Sequence, residues 1–256
     1  MRSTSPVRRR PAARARIMRS LVLAAAALSA CSAPPRTAPT PAPQRTLPTA
    51  IAWVWQSAEY RALTRQTYAA ATSRLEDLAP AMASSAWGVI LDADETVLDN
   101  TAYAIRREAL DSGYTEPSWS VWVREMAAPA VPGAAAFTRR VHQLGGRVII
   151  VTNRADSLCG STRRNLRQVG VDADLVLCHL PGQPDKNPRF AAVQRGSASP
   201  ALPPLAIVEW LGDNIQDFPM LTQPSRDDRS AMALFGRRYF VLPNPVYGSW
   251  PGQKTP

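Results

Sequence analysis

Four short apolar runs, separated by helix-length segments, constrain this chain more than any other feature. They are Trp87-Gly88-Val89-Ile90-Leu91, Arg147-Val148-Ile149-Ile150-Val151, Asp174-Leu175-Val176-Leu177-Cys178 and Leu205-Ala206-Ile207-Val208-Glu209-Trp210-Leu211. Runs of this length suit strands buried on both faces of a parallel sheet. Arg238-Tyr239-Phe240-Val241-Leu242 is expected to add a fifth. The segments between them read as helices: one over 51–79 stopped by Pro80, an irregular stretch over 100–130, one from Pro132-Gly133 to Leu144, one near 157–168 and one near 189–195. Such alternation predicts an α/β fold, a parallel sheet with helices on both faces. About 200 residues after the first 50 suit one domain.

The formal net charge of +10 suggests a nucleic-acid or membrane binder until its distribution is read. Residues 1–50 hold nine arginines and no acidic residue, which leaves the remainder at only +1. A basic main domain that coats a nucleic-acid polymer is therefore not expected. The first 19 residues are Arg-rich and precede Leu21-Val22-Leu23-Ala24-Ala25-Ala26-Ala27-Leu28, then Ser29-Ala30-Cys31. A positive flank, a short apolar run and a small-residue site make an export signal too short to span a bilayer. With its cysteine, the site resembles the bacterial lipobox, so residues 1–30 are expected to leave and Cys31 to carry lipid. Residues 31–50, rich in Pro, Ala and Thr, read as a tether, with the globular part at 51–256. Ser32 is not the aspartate associated with inner-membrane retention, which favours the outer membrane and periplasm in a two-membrane cell.

In open parallel sheets ligands bind beyond the carboxyl ends of the strands. Here those ends deliver Asp92-Ala93-Asp94-Glu95-Thr96, Thr152-Asn153 and Gly212-Asp213-Asn214-Ile215-Gln216-Asp217. Carboxylates crowded at one edge repel unless a cation lies among them. A few hard oxygen ligands with room for phosphate and water suit Mg²⁺. Thr152 and Asn153, expected just before a helix N-terminus, suit an anion. Lys186, one of two lysines in the chain, adds positive charge where a phosphoryl group gathers negative charge. A carboxylate nucleophile can then form an aspartyl-phosphate, while a carboxylate two residues on gives a proton to the leaving oxygen and later activates water.

The order Asp-x-Asp-x-Thr, strand-end Thr-Asn, Lys, then Gly-Asp-x-x-x-Asp resembles the haloacid dehalogenase superfamily of phosphatases. The fuller text, including Ser57-Ala58-Glu59-Tyr60-Arg61-Ala62-Leu63, Leu91 through Asn100, Val151-Thr152-Asn153-Arg154 and Leu242-Pro243-Asn244-Pro245-Val246-Tyr247-Gly248, resembles the class C acid phosphatases, a 5′-nucleotidase-like family of bacterial lipoproteins. That resemblance implies a Rossmann-like parallel sheet with a small, mainly helical cap at about 100–131. It implies Asp92 as nucleophile and Asp94 as general acid/base whose backbone carbonyl also meets the metal. Asp213 would complete the protein ligands, and Asp217 would act behind them or through water. Thr152, Asn153 and Lys186 would hold phosphate. Lys186 sits in an unusual Pro-rich segment, Pro184-Asp185-Lys186-Asn187-Pro188-Arg189, and only Lys254 competes with it.

Tyr103, Trp119 and Trp122 lie where the cap is expected and could stack a nucleobase, although packing between cap and core is the simpler role for each. His142 and His179 show no metal-ligand spacing. Cys159 and Cys178 could meet as a disulfide in an oxidising compartment, but two buried free thiols are the simpler expectation. The leading expectation is an exported, lipid-anchored, Mg²⁺-dependent acid phosphatase acting on small phosphomonoesters, with nucleoside 5′-monophosphates as candidates. A phosphotransferase or mutase on the same scaffold, or a non-catalytic surface lipoprotein, is the alternative. The expected partners are the small substrate and the membrane through the lipid anchor; a homodimer is left open.

Overall fold

A computed structural model of the chain describes residues 46–251. The expected export signal, Cys31, most of the tether and Lys254 lie outside the described residues. In chain order the elements are α1 (Thr49–Gln56), α2 (Ala58–Met82), β1 (Trp87–Leu91), α3 (Thr101–Ala109), α4 (Glu116–Glu125), α5 (Ala134–Gln143), β2 (Arg147–Ala155), α6 (Cys159–Gln168), β3 (Leu175–His179), α7 (Asn187–Arg195), β4 (Ala206–Gly212), α8 (Arg229–Met232) and β5 (Tyr239–Val241). Every strand pairing is parallel, in the order β3-β2-β1-β4-β5. The chain winds outward from β1 to β3 on one side, then crosses back to place β4 and β5 on the other. The switch point falls beside β1, where such sheets open a crevice at their carboxyl edge.

All five residues of β1 are buried, which is why the strand reads as an unbroken apolar run. Val89, Leu91, Val148, Ile150 and Leu211 face a core completed by Tyr68 and Leu75 of α2 and Phe137 and Val141 of α5. Ile90, Ile149, Val151 and Trp210 face the opposite core, completed by Phe190 and Val193 of α7 with Phe218 and Tyr239. The sheet is thus sealed on both faces, and most of its polar groups gather at the carboxyl edge. No helix among the described residues is long and apolar enough to cross a membrane.

Three expectations give way. The single helix expected over 51–79 is two, because Ser57 adopts an extended backbone and its hydroxyl accepts the Tyr60 N–H at 3.0 Å, capping α2. Pro80 does not stop α2 at once; it lies inside the helix, which ends two residues on, at Met82. The free thiols are also replaced: Cys159, at the start of α6, and Cys178, on β3, form a disulfide across Cα atoms 5.9 Å apart. A loop spanning a separation of 19 residues is worth roughly 3 kcal/mol in the chain-entropy account.

Glu209 on β4 is wholly buried, and neither carboxyl oxygen has a hydrogen-bond partner among the described residues. Burial pushes its carboxyl up to about 9, against a weaker opposing pull from Arg74 of α2. A carboxyl raised in the folded state favours folding below its unfolded value and loses that advantage as pH climbs towards 9. Glu209→Gln is therefore expected to gain on wild type as pH rises, by up to about 4 kcal/mol between pH 5 and pH 8. Urea denaturation at the two pH values checks this; parallel pH dependence in both proteins contradicts a buried, protonated Glu209.

Candidate active site

β1 ends at Leu91, and the Asp92 N–H donates to the Leu211 carbonyl of β4 at 3.0 Å, so the nucleophile candidate is fixed at the switch point. The next turn is tight. Glu95 takes a left-handed backbone (φ 52°), uncommon for a non-glycine residue and typical of strained functional turns. The turn is closed by the Glu95 N–H on the Leu98 carbonyl at 2.8 Å, and the Asn100 N–H donates to Glu95 Oε1 at 2.9 Å.

β4 delivers the other acids. Gly212 is required there, because a Cβ on it would lie 2.2 Å from the Asp217 Cβ. Asp217 folds back over that glycine, and its Oδ2 accepts the Asn214 N–H at 2.9 Å. Asp213 is held from two sides: Thr96 Oγ1 donates to Oδ1 at 3.2 Å and Asn244 Nδ2 to Oδ2 at 2.8 Å. One carboxylate oxygen each from Asp92, Asp213 and Asp217 lies within 4.8 Å of the others. Lys186, just before α7, reaches in from the opposite side. Its Nζ donates to Asp92 Oδ1 at 2.5 Å and to Asp217 Oδ1 at 2.6 Å.

Electrostatics follow from this crowding. Burial, reinforced by Asp217 and Asp94 and opposed by Lys186, pushes Asp92 up to about 7. Burial, with Asp217 and Asp92 adding to it, holds Asp213 well above the usual carboxylate range. Burial opposes the charge on Lys186, but Asp217 and Asp92 outweigh it and hold the ammonium above its ordinary range. One ammonium among three carboxylates leaves a surplus of negative charge, and the donor set is all oxygen. These residues fit a hard divalent cation.

Asp94 points elsewhere. Its carboxylate is gripped by Arg154, through Nη2 at 2.7 Å and Nε at 3.0 Å, and by Asn100 Nδ2 at 2.8 Å. Asp92, Asp94, Lys186, Asp213 and Asp217 all border one cavity of about 960 Å³, which runs on beneath α3 and the α3–α4 loop. That volume exceeds a phosphate many times and suits a small organic ligand.

The helix N-terminus expected beside Thr152 and Asn153 is not there. β2 continues through Ala155 and a one-turn 3₁₀ segment follows, so α6 starts only at Cys159 and no helix N-terminus adjoins Asn153. Thr152 is buried, is not among the residues that border the cavity, and its Oγ1 accepts the Arg154 N–H at 3.1 Å. Asn153 does border the cavity. Arg189 of α7 ties the two together, donating to the Thr152 carbonyl at 2.6 Å and to Asn153 Oδ1 at 2.5 Å. Among the aromatics, Tyr103 and Trp119 line the cavity and meet edge to face, with centroids 5.1 Å apart. Trp122 does not line it; it is core, and its indole N–H donates to Asn100 Oδ1 at 2.8 Å. His142 has a structural partner, Asp174, at 2.9 Å, and no place near the site.

Sequence reasoning gave no role to Arg154, Asn100, Arg189 or Asn244. The signal was present, since Asn100, Arg154 and Asn244 stand inside the motif segments themselves. What the motifs lack is any mark of which motif residue touches which.

The family model for the acid phosphatases of the HAD superfamily, subfamily IIIB, matches residues 24–250. The class C acid phosphatase from Bacillus anthracis is similar in structure, with a TM-score of 0.71 and 27% identity over 79% of this chain and 85% of that one. A second structure of a class C acid phosphatase from Bacillus anthracis, with tungstate bound, gives a TM-score of 0.69 and 29% identity over the same shares.

Proposed function

The chain belongs to the acid phosphatases of haloacid dehalogenase subfamily IIIB, and from that premise we propose an exported, lipid-anchored, Mg²⁺-dependent enzyme that hydrolyses small phosphomonoesters through an aspartyl-phosphate. The observation that carries the reading is the position of Asp92: buried at the switch point, hydrogen-bonded to Lys186 and facing Asp213 and Asp217 across less than 4.8 Å.

Asp92 and Asp213 would hold the cation with the Asp94 carbonyl, as the family resemblance implies, and Asp217 would act behind them or through water. When bound, the ion offsets the carboxylate surplus and draws charge from a phosphoryl oxygen. An Asp92 carboxylate oxygen attacks phosphorus. Lys186, locked between Asp92 and Asp217, orients that carboxylate and places positive charge beside the phosphoryl group at no cost of reorganisation. Asp94 supplies a proton to the departing oxygen and afterwards takes one from the water that cleaves the acyl phosphate. Asn153, on the cavity wall and held by Arg189, adds a polar contact for the phosphoryl group. The tungstate complex supports the phosphate reading, since tungstate is a tetrahedral oxyanion like phosphate.

Tyr103 and Trp119 give the leaving-group side an aromatic wall, which favours nucleoside 5′-monophosphates over simple alkyl phosphates. Two features support export: the Arg-rich leader ending at Cys31, and the Cys159–Cys178 disulfide, a bond that persists in oxidising compartments.

A phosphomonoester panel, assayed with added Mg²⁺ and after chelation, tests the proposal. Turnover is expected to fall by about 100-fold or more on chelation and to return with Mg²⁺. Undiminished turnover in chelator contradicts the metal assignment, and no preference for nucleotides contradicts the substrate assignment.

A further inference from the structure

We propose that Arg154, Asn100 and Trp122 form a positioning relay that pins Oδ1 of Asp94 and leaves Oδ2 as the oxygen that delivers the proton to the leaving group. The inference rests on the phosphatase reading above and deepens it.

The three short contacts to Asp94 converge on one atom. Oδ1 accepts Arg154 Nη2 at 2.7 Å, Asn100 Nδ2 at 2.8 Å and Arg154 Nε at 3.0 Å. Oδ2 has one long contact, from Arg154 Nε at 3.2 Å. A carboxylate oxygen has two in-plane lone pairs, so three N–H donors saturate Oδ1 and leave it no room for a proton. The other oxygen belongs to a side chain that is 18% exposed and borders the cavity.

The relay extends to a residue that touches neither Asp94 nor the cavity. An Asn amide can present either end to a neighbour, and only the Nδ2 end binds a carboxylate. Here the Oδ1 end is claimed by the Trp122 indole N–H at 2.8 Å, a group that can only donate, and by Arg154 Nη2 at 3.3 Å. Trp122 thereby decides which way Asn100 faces. Arg154 is fixed in turn: its side chain is 1% exposed, Nη1 reaches Thr162 Oγ1 at 3.4 Å, and its guanidinium lies 5.4 Å from the Trp119 ring centroid. Trp119 is part of the aromatic wall, so the grip on Asp94 is continuous with the surface that meets the leaving group.

In the step concerned, the bond from the Asp92 oxygen to phosphorus forms as the bond from phosphorus to the leaving oxygen breaks. The bonding pair passes to the leaving oxygen, and the proton on Asp94 Oδ2 moves to that oxygen, so a neutral alcohol departs. An alkoxide needs that proton and a dinitrophenolate does not. The relay therefore shows in leaving-group dependence, which general loss of structure does not alter.

The test compares kcat/KM for glycerol phosphate and for 2,4-dinitrophenyl phosphate, because kcat/KM reports formation of the aspartyl-phosphate and not its hydrolysis. Asp94→Asn calibrates it and is expected to lower the glycerol-to-dinitrophenyl ratio by about 10²-fold or more. Trp122→Phe, which removes one N–H and keeps a buried ring, is expected to lower the same ratio by about 10-fold. Asn100→Leu gives a second route to that result should Trp122→Phe fold poorly. An unchanged ratio in folded Trp122→Phe or Asn100→Leu, with the ratio lowered in Asp94→Asn, overturns the relay and leaves the phosphatase reading standing. An unchanged ratio in Asp94→Asn overturns the general-acid assignment and the relay with it.

Discussion

Asp92→Asn is expected to lower kcat/KM by about 10⁴-fold or more while the thermal midpoint holds or rises. The amide has the carboxylate's size and no nucleophilic oxygen, so the chemical loss is complete while packing is kept. The direction of the stability change follows from the crowding. Asp92 is raised to about 7 because burial outweighs the attraction of Lys186, with Asp217 and Asp94 adding to the rise, so a neutral side chain removes the cost of a buried charge. Lys186 keeps its bond to Asp217. Steady-state kinetics beside a thermal melt check both halves. A folded variant that retains a tenth of wild-type turnover shows that the nucleophile lies elsewhere.

Lys186→Met is expected to damage stability and activity together. Methionine fills much of the volume but removes the one ammonium that bonds Asp92 and Asp217, leaving two buried carboxylates facing Asp213. Removing one partner of a buried ion pair costs about 3–5 kcal/mol. Loss of a preorganised cation beside the phosphoryl group costs a further factor of about 10²–10³ in kcat. The pH dependence has a definite sign. A buried acid raised from 3.8 to about 7 binds its proton more readily folded than unfolded, so its contribution is most favourable below 3.8 and is lost as pH rises through 7. Without Lys186 that decline steepens, so the deficit in the metal-free variant is smallest in acid and largest at neutral pH. Added Mg²⁺ narrows it. Urea melts at pH 5 and pH 8, with and without Mg²⁺, measure the effect; a deficit indifferent to both pH and Mg²⁺ contradicts the charge argument.

The sheet was legible because a strand buried on both faces has to be apolar throughout, and because parallel strands gather their polar ends at one edge. β1 begins and ends where its apolar run does, and β4 is displaced by one residue. The acids were legible for the same reason: Asp92 and Asp213 follow directly from strand ends, and Asp217 closes the short 3₁₀ turn beyond the second. Ser57 escaped notice because a cap inside a continuous helical pattern leaves the periodicity intact. Thr152 and Asn153 were placed before a helix because β2 reads as ending at Val151. The strand in fact runs on, with Arg154 turned inward and Ala155 paired with His179. Arg154 lies 60 residues from Asp94 and Lys186 lies 94 from Asp92, distances at which no spacing rule joins partners. Lys186 was found because lysine is so rare here that the site had almost no other candidate. Arginine is abundant, and nothing in composition separates Arg154 from its fellows. The Cys159–Cys178 pairing depends on the register of β2 against β3, which a strand assignment alone does not supply.

The aspartyl-phosphate is the centre of this account, and rapid acid quench during turnover of a ³²P-labelled phosphomonoester tests it most directly. Peptide mapping of the quenched protein is predicted to find the label on Asp92, stable to acid, released by hydroxylamine and absent from Asp92→Asn. Turnover with no protein-bound phosphoryl group, or label on any other residue, contradicts it.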